Sequence, residues 1–283
     1  MSDARPFLKF VGGKTQLLPE LRKHVPATFG RYFEPFVGGG AMFFDLASQG
    51  RLNGEAVLAD MNPLLIKAYK SIRDHVDILL GWLKALERSY KACTTDAERR
   101  DCYLRIRSAI GYPCNWGPDE NEAARLIAVN KTCFNGLFRV NKSGKFNVPF
   151  GRYTNPTICD EENLRAVSQA LQGVEIWHSD FEPITFLVSK GDFVYFDPPY
   201  VPVSDTADFT SYTSCRFEMR DQVLLRDTAL SLKRRGVHVV LSNADVPAVR
   251  ELYKDFTIHA VKARRNINSK PGARGPVGEV IVT

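Results

Sequence analysis

Apolar residues recur in short runs, separated by longer segments with a helical repeat, along most of the chain. The runs predict strands, at 56–60, 174–178, 193–197, 237–242, 256–261 and 279–282. The segments between them predict amphipathic helices, near 15–23, 63–86, 161–172, 220–234 and 246–254. Near-continuous apolar strands separated by helices are typical of a mostly parallel α/β sheet covered on both faces. Such a sheet binds ligands at the carboxyl ends of its strands.

The alternation is interrupted between residues 90 and 157. This segment begins with helix-prone sequence and then shows a hairpin pattern, in which residues 137–140 and 145–149 flank a turn at 141–144. A chain of 283 residues is long enough for one α/β domain that carries an insertion. We therefore predict a catalytic domain at 1–89 and 158–283, and an inserted, mainly helical domain with a β-hairpin at 90–157.

The distribution of charge along the chain indicates a polyanionic partner. The net charge is +6, and the stretch between Glu122 and Asp160 contains no acidic residue. Its basic residues are Arg125, Lys131, Arg139, Lys142, Lys145 and Arg152. A second acid-free basic stretch runs from Lys262 to Arg274. A solvated surface would normally intersperse acids, so the two stretches favour a surface that binds a phosphate backbone.

The remaining composition mainly excludes function classes. No apolar run approaches the roughly 18 residues that a membrane-spanning helix needs, and the N-terminus lacks the apolar core of a signal peptide. We therefore expect a cytoplasmic protein. The cysteines show no Cys-x-x-Cys pair, and the five histidines are scattered. These patterns favour free thiols and argue against a structural metal or a disulfide framework.

Two glycine-rich segments near the N-terminus are candidate ligand sites. Residues 33–41 contain three successive glycines, 38–40, just before a helix that opens at Ala41, and Asp60 follows about 20 residues later at a strand end. This pair suits an adenosine-containing cofactor whose ribose hydroxyls the acid would bind, without distinguishing NAD from S-adenosylmethionine. The Gly13-Lys14 pair lacks the first glycine of a phosphate loop, because Leu8 stands there. Lys14 remains well placed to meet a carboxylate, such as that of a methionine moiety.

The strand at 193–197 ends in Asp197-Pro198-Pro199-Tyr200. Two prolines fix the backbone and remove its donors, which leaves a carboxylate, carbonyl groups and an aromatic ring at a rigid loop tip. Asp197 and the Pro198 carbonyl could hold the hydrogens of an amine on a planar base and so free its lone pair for methylation. Tyr200 could stack on that base after it has flipped out of a duplex.

With these segments in place, the sequence resembles the Dam-type DNA adenine methyltransferases of the D12 class, in particular the DpnII/MboI-like modification enzymes. The segments that carry the resemblance are 7–14, 33–40, 60–62, 134–139, 146–153, 180–181 and 197–200. The resemblance covers nearly the whole chain. It implies a class I S-adenosylmethionine-dependent methyltransferase fold with a doubly wound, seven-stranded sheet and an inserted target-recognition domain.

The resemblance also implies roles for individual residues. The cofactor would be contacted by Phe10, Lys14, Glu34, Phe36, Gly38, Gly40, Asp60, Asp180, Phe181 and Asp197. Lys9 and Arg139 would read guanines, Leu137 and Pro149 would touch the thymine side, and arginine is independently suited to guanine. The remaining predicted DNA contacts are Phe134 and Asn135 at the site of the flipped adenine, and Arg152 and Tyr153 at phosphate and hairpin.

The predicted function is methylation of adenine N6 in double-stranded GATC with S-adenosylmethionine as donor, by an enzyme that acts as a monomer and is potentially paired with a restriction endonuclease. The sequence argues against several alternatives. RNA adenine or protein glutamine methylases tend to have asparagine in place of Asp197 and lack this recognition insertion. A cytosine-N4 methylase usually has serine in place of Asp197. A catalytically silent DNA-binding regulator would need an unseen defect, because every expected catalytic position is occupied. An NAD-dependent oxidoreductase would need fingerprint glycines that are absent.

Overall fold

The computed structural model describes residues 3–10, 13–52, 55–111, 119–139, 141, 146–201, 217–264 and 276–283. Its centre is a seven-stranded sheet with the order β3-β2-β1-β4-β5-β7-β6. The strands are β1 Tyr32–Glu34, β2 Ala56–Asp60, β3 Glu175–His178, β4 Phe193–Phe196, β5 His238–Ala244, β6 Ile258–Arg264 and β7 Pro276–Val282. The helices are α1 Leu18–Leu21, α2 Ala41–Ser48, α3 Pro63–Lys91, α4 Asp96–Ser108, α5 Glu120–Thr132, α6 Glu161–Ala170, α7 Phe181–Thr185, α8 Met219–Arg234 and α9 Pro247–Leu252.

The predicted α/β sheet is confirmed. Strands β1 to β5 pair in parallel, and β7 is antiparallel to both β5 and β6. The sheet is covered on both faces, because successive residues of β4 enter different hydrophobic clusters. Phe193 and Tyr195 face the cluster formed with α2, α3, α5 and α6, whereas Val194 and Phe196 face the cluster formed with α7, α8 and α9. The parallel strands place their carboxyl ends at one edge, where the candidate site lies.

Two local predictions differ from the structure. The single helix expected at 15–23 is wrong: a 3₁₀ turn at Lys14–Gln16, the short α1 and a second 3₁₀ turn at Arg22–His24 occupy this region. Pro19 explains the break, since it has no N–H to continue a helix from the preceding turn but fits the first turn of a new one. Strand β1 was missed because it has only three residues and runs directly into the glycine-rich turn.

Helix α3 begins at Pro63 as predicted and extends to Lys91, beyond the expected end at 86. The Asn62 side chain caps it by accepting from the backbone N–H of Leu64 and Leu65, at 3.1 and 3.3 Å. The helix therefore crosses residue 90, where the insertion was predicted to begin. Its interior contains a non-helical residue, His75, at which the helix kinks.

The described part of the predicted insertion consists mainly of α4 and α5. Both helices bury side chains in the same cluster as α3 and the sheet, for example Tyr103 and Leu126. Residues 142–145, which include most of the turn predicted at 141–144, lie outside the described residues. On either side of it the Asn147 N–H donates to the Arg139 carbonyl at 3.0 Å, and Cys133 and Phe150 form an isolated antiparallel bridge. The domain boundaries remain a prediction. Among the described helices, none is both long and apolar enough to cross a membrane.

Candidate active site

The loop at the end of β4 brings a carboxylate, an ammonium group and a hydroxyl together. Asp197 Oδ1 lies 2.8 Å from Lys14 Nζ and accepts a hydrogen bond from Ser242 Oγ, also at 2.8 Å. Lys14 is only 5% exposed, whereas the Asp197 side chain is 22% exposed. The structure thus pairs Lys14 with a carboxylate of the protein itself, and the predicted contact of Lys14 with a methionine carboxylate stays a prediction. Asp197 is fixed from two sides and retains an exposed edge.

The rest of the loop is anchored through its backbone and through Tyr200. The Tyr200 hydroxyl donates to Glu279 Oε2 at 2.8 Å, and Lys14 Nζ lies 4.6 Å from the centre of the tyrosine ring. The Pro199 carbonyl accepts from Gln222 Nε2 at 2.8 Å. Gln222 is in turn held by Asn243, whose Nδ2 donates to Gln222 Oε1 at 3.1 Å. This buried network rigidifies the loop, as preorganised catalytic groups require.

Sequence reasoning missed the anchoring residues Ser242, Asn243, Gln222 and Glu279. A signal for two of them exists in the topology. Strand β5 pairs in parallel with β4, with Phe196 opposite Leu241, so the residues that follow, Asp197 and Ser242, emerge side by side. A polar Ser-Asn pair at the end of an otherwise apolar strand could therefore have been assigned to this edge once the strand order was known.

The glycine-rich turn and Asp60 form one unit next to this loop. Gly38 and Gly40 have positive φ angles of 46° and 68°. A Cβ at Gly40 would lie 2.6 Å from the Tyr69 hydroxyl oxygen, so the turn tolerates no side chain there. The Gly38 N–H donates to Asp60 Oδ2 at 3.0 Å, and the Asn62 N–H donates to Oδ1 at 2.9 Å. Burial raises the pKa of Asp60 to about 6, against the lowering effect of these two hydrogen bonds.

Glu34 lies behind the turn, not at its surface. It is 2% exposed, and its Oε2 accepts from the Tyr32 hydroxyl at 2.8 Å and from the Phe43 N–H at 3.2 Å. Burial raises the pKa of Glu34 from its ordinary 4.5 to about 8, and the nearby charge of Asp197 contributes in the same direction. The contacts described for Glu34 thus hold the turn against α2, and its predicted contact with a cofactor remains a prediction.

Glu34 should make the stability of the protein depend on pH. A carboxyl group with a raised folded pKa contributes stability that is present below its unfolded pKa and is lost as the pH rises through the folded pKa. The free energy of unfolding should therefore fall between about pH 5 and pH 8, by about 1.4 kcal/mol per unit of raised pKa. Glu34→Gln keeps an acceptor for both hydrogen bonds and should remove the decline above about pH 6, the range in which Asp60 no longer titrates.

Urea unfolding from pH 5 to pH 9 measures the effect. Glu55→Gln, at an exposed residue just before β2, serves as the control and should keep the wild-type pH dependence. If the Glu34→Gln variant loses stability across this range as steeply as the wild type, Glu34 is not the titrating group.

Aromatic residues border the glycine-rich turn on its other side. Phe36 stacks on Phe181 with ring centres 5.5 Å apart and contacts Phe217 edge to face at 5.6 Å. Asp180 caps α7 by accepting from the Phe181 N–H at 2.6 Å. Phe181 is 2% exposed, so it supports Phe36 from beneath. Phe36 and Phe217 are partly exposed, and Asp180 is exposed.

The residues predicted to bind DNA cluster on one exposed loop. Phe134 is 50% exposed on a 3₁₀ turn in which Asn135 has a positive φ of 55°. The Phe134 N–H donates to the carbonyl of Pro149 at 2.9 Å, which joins the two halves of the loop. Arg139 is exposed, and its Nε donates to Asn147 Oδ1 at 2.8 Å. The loop thus exposes the ring of Phe134 and the guanidinium group of Arg139 to solvent.

The other predicted DNA contacts adjoin this loop. Lys9 Nζ lies 5.3 Å from the centre of the Tyr153 ring, and Phe10 stacks on Phe138 at 6.2 Å. Leu137 is half-buried, and Arg152 is exposed with a positive φ of 57°. Lys142, Lys145 and the side chains of the second basic stretch lie outside the described residues. Lys9 therefore lies beside the exposed loop, whereas Lys14, on the same short segment, contacts Asp197.

Comparison with known proteins identifies the family to which a chain with this site belongs. Residues 10–267 match the family described as D12 class N6 adenine-specific DNA methyltransferase. The chain belongs to this family. It is 42% identical to the Type II methyltransferase M1.LlaDCHI of Lactococcus lactis subsp. cremoris, over 99% of this chain and 95% of that protein. It is 40% identical to the Type II methyltransferase M.MjaIII of Methanocaldococcus jannaschii, over 96% of each chain. It is also 34% identical to the DNA adenine methylase of Vibrio cholerae, over 99% of this chain and 96% of that protein.

Membership of the D12 class makes the protein an adenine-specific DNA methyltransferase. The predicted family, enzyme class and DNA substrate are thereby confirmed. The family assignment excludes the cytosine-N4, regulator and oxidoreductase alternatives. The matched segment, 10–267, contains the Gly38–Gly40 turn, the exposed loop and Asp197–Tyr200, whereas Lys9 and Glu279 lie just outside it.

Proposed function

We propose that this methyltransferase transfers the methyl group of S-adenosylmethionine to N6 of a flipped adenine in double-stranded GATC. The observation that carries the proposal is the anchored Asp197 carboxylate at the end of β4, adjacent to the unit formed by Gly38 and Asp60. A carboxylate held in place, a Pro-fixed backbone and an aromatic ring form a surface for a planar base that bears an amine. The adjacent unit suits a nucleoside.

The residues beside the loop fit S-adenosylmethionine chemically. Asp60 ends a strand at the binding edge and is half-buried, and each of its carboxylate oxygens, which already accepts one backbone N–H, would accept a further hydrogen bond from a ribose hydroxyl. The left-handed backbone of Gly38 allows a ligand to approach the chain closely. Phe10, Phe36 and Asp180 would border the adenine ring, and Lys14 the methionine carboxylate. When bound, this cofactor supplies a methyl group on a positively charged sulfur.

The protein's own residues prepare the amine. The lone pair of adenine N6 is delocalised into the ring, which makes the nitrogen a poor nucleophile. Hydrogen bonds from the amine to Asp197 and to the Pro198 carbonyl would favour a tetrahedral nitrogen with a free lone pair. Tyr200, whose ring is held through Glu279, would stack on the base. Lys14 occupies Asp197 before the base arrives, so the ammonium group has to give way to the amine.

The exposed loop would read the DNA and stabilise the flipped state. Phe134 and Asn135 project where an extruded base leaves a gap, and Arg139 and Lys9 would face guanines. Leu137 and Pro149 would contact thymine, and Arg152 and Tyr153 would hold the phosphate backbone and the hairpin. We further propose that the enzyme acts as a monomer. Since two relatives are named Type II methyltransferases, pairing with a restriction endonuclease is part of the proposal.

Methylation of defined duplexes tests the proposal. Purified protein, S-adenosylmethionine and a duplex with one GATC should yield N6-methyladenine, detected by mass spectrometry of the nucleosides. The product should be cut by a nuclease that requires methylated GATC. A duplex with GTTC in the same flanks is the matched control and should remain unmethylated. Equal methylation of both duplexes would refute the GATC assignment, and methylcytosine as product would refute the proposed base.

A further inference from the structure

A buried asparagine joins the N-terminal segment to the exposed DNA-facing loop. Asn130, on α5, is 1% exposed. Its Oδ1 accepts from the Lys9 N–H at 2.8 Å, and its Nδ2 donates to the Lys9 carbonyl at 2.9 Å. The second proton of Nδ2 goes to the Gly136 carbonyl at 3.0 Å. One amide group thus binds both backbone groups of Lys9 and one carbonyl of the turn that presents Phe134.

The joint is tightly packed as well as hydrogen-bonded. A Cβ at Gly136 would lie 2.4 Å from the Cβ of Lys9, so only glycine permits this approach of the two chains. Gly136 also has a positive φ of 64°, which glycine adopts without strain. Beside it, Phe10 stacks on Phe138. The hydrogen bonds of Asn130 and the close contact with Gly136 therefore fix the position of the Lys9 backbone relative to the loop.

We propose that Asn130 is a positioning residue for sequence recognition: it holds Lys9 and the Phe134–Gly136 turn in one geometry, so that both meet the DNA together. The inference rests on the proposed DNA-reading roles of these two elements. Being buried, Asn130 makes no direct contact with a duplex. Its effect has to pass through Lys9 and Gly136. Loss of the amide leaves two carbonyls and one N–H without their partner and frees the two elements to move independently.

The chain offers a matched control, an asparagine that binds the N-terminal segment at Arg5, four residues before Lys9. Asn163, on α6, is 4% exposed, and its Oδ1 accepts from the Arg5 N–H at 2.9 Å while its Nδ2 donates to the Arg5 carbonyl at 3.1 Å. Asn163 thus makes the same pair of backbone hydrogen bonds to Arg5 that Asn130 makes to Lys9, on the same N-terminal segment. Within the part of the chain that the structure describes, the Asn163 amide makes no hydrogen bond to the DNA-facing loop. Asn163→Ala therefore reproduces the loss of an amide bracket without loosening the recognition joint.

The experiment compares Asn130→Ala and Asn163→Ala. Melting temperatures report the loss of stability, and kcat/KM is measured on the sequence that the wild type methylates best and on duplexes that differ from it by one base pair. We expect both variants to melt at lower temperature than the wild type. The ratio between best and altered sequences should fall about tenfold or more in Asn130→Ala and stay within about twofold of wild type in Asn163→Ala.

Asn130→Asp provides a second variant of unchanged size, in case the alanine variant does not fold. Its carboxylate oxygen would face the carbonyls of Lys9 and Gly136 in place of an NH₂ donor, so discrimination should fall as it does for alanine. Wild-type discrimination in both Asn130 variants, or an equal loss in Asn163→Ala, would overturn the assignment. Because the ratio is defined on whichever sequence the wild type prefers, a preference other than GATC would contradict the proposed function without deciding the role of Asn130.

Discussion

Asp197→Ala is expected to reduce methyl transfer by at least about 10²–10³-fold while the protein stays folded, which is the scale on which a single preorganised hydrogen-bonding group contributes to a transition state. The substitution removes the acceptor for the target amine. It also removes the common partner of Lys14 and Ser242. The rate of methyl transfer in a single turnover, with enzyme in excess over duplex, measures the effect on the chemical step.

The stability of this variant needs its own measurement. Lys14 is 5% exposed and would lose the carboxylate that lies 2.8 Å from its Nζ, and weakening the pairing of a buried cation is costly. Asp197→Asn keeps the size of the side chain and one oxygen acceptor, so it tests the charge with less disturbance of the loop. We expect Asp197→Asn to retain the wild-type fold, judged by circular dichroism and melting temperature, and to show a comparable loss of rate.

Asp245 provides the matched control. It follows β5, the strand next to β4, and so stands at the same edge of the sheet as Asp197. Its carboxylate is engaged by Arg250, with Nε 2.6 Å from Oδ1, and does not contact the catalytic loop among the described residues. Asp245→Asn should therefore leave the rate within about twofold of wild type. Undiminished methyl transfer in Asp197→Ala would remove this residue from the mechanism.

The features that could be predicted from the sequence are those carried by local patterns. Strand β2 ends at Asp60 as predicted, and β4 ends one residue before Asp197. In both cases an apolar run stops at a polar residue, and parallel topology then places the ends at one edge. The ion pair of Lys14 with Asp197 was not predicted, because it joins two segments that are far apart in the sequence.

The features that could not be predicted depend on contacts between distant parts of the chain. Glu279 lies on the last strand and reaches Tyr200, 79 residues earlier, and Asn130 reaches Lys9 across 121 residues. In the sequence Glu279 is a single acid in an apolar strand, and Asn130 is one polar residue in a helix. Neither pattern specifies a partner. Glu34 illustrates the opposite case: a motif residue whose burial behind the turn only the tertiary structure reveals.

Arg139→Ala is expected to weaken discrimination at one guanine of the target by about 1–3 kcal/mol, because the planar guanidinium group pairs with O6 and N7 in the major groove. The geometry supports a reading role. Arg139 is exposed, and Asn147 binds its Nε at 2.8 Å, which orients the guanidinium fork before DNA arrives. The measurement is kcat/KM on GATC and on duplexes in which each guanine in turn is replaced, at fixed salt concentration.

Comparison with Arg152→Ala distinguishes recognition of a base from electrostatic binding of the phosphate backbone. Arg152 is also exposed and on the same loop, and its predicted partner is a phosphate. Its loss should weaken binding about equally on all sequences and reduce the slope of log affinity against log salt by about one. Arg139→Ala should instead concentrate its effect on a single base pair, and Arg139→Lys should not restore discrimination, since lysine lacks the bidentate fork. A uniform loss in Arg139→Ala, with a reduced salt slope, would show that Arg139 contacts the backbone and that another residue reads the guanine.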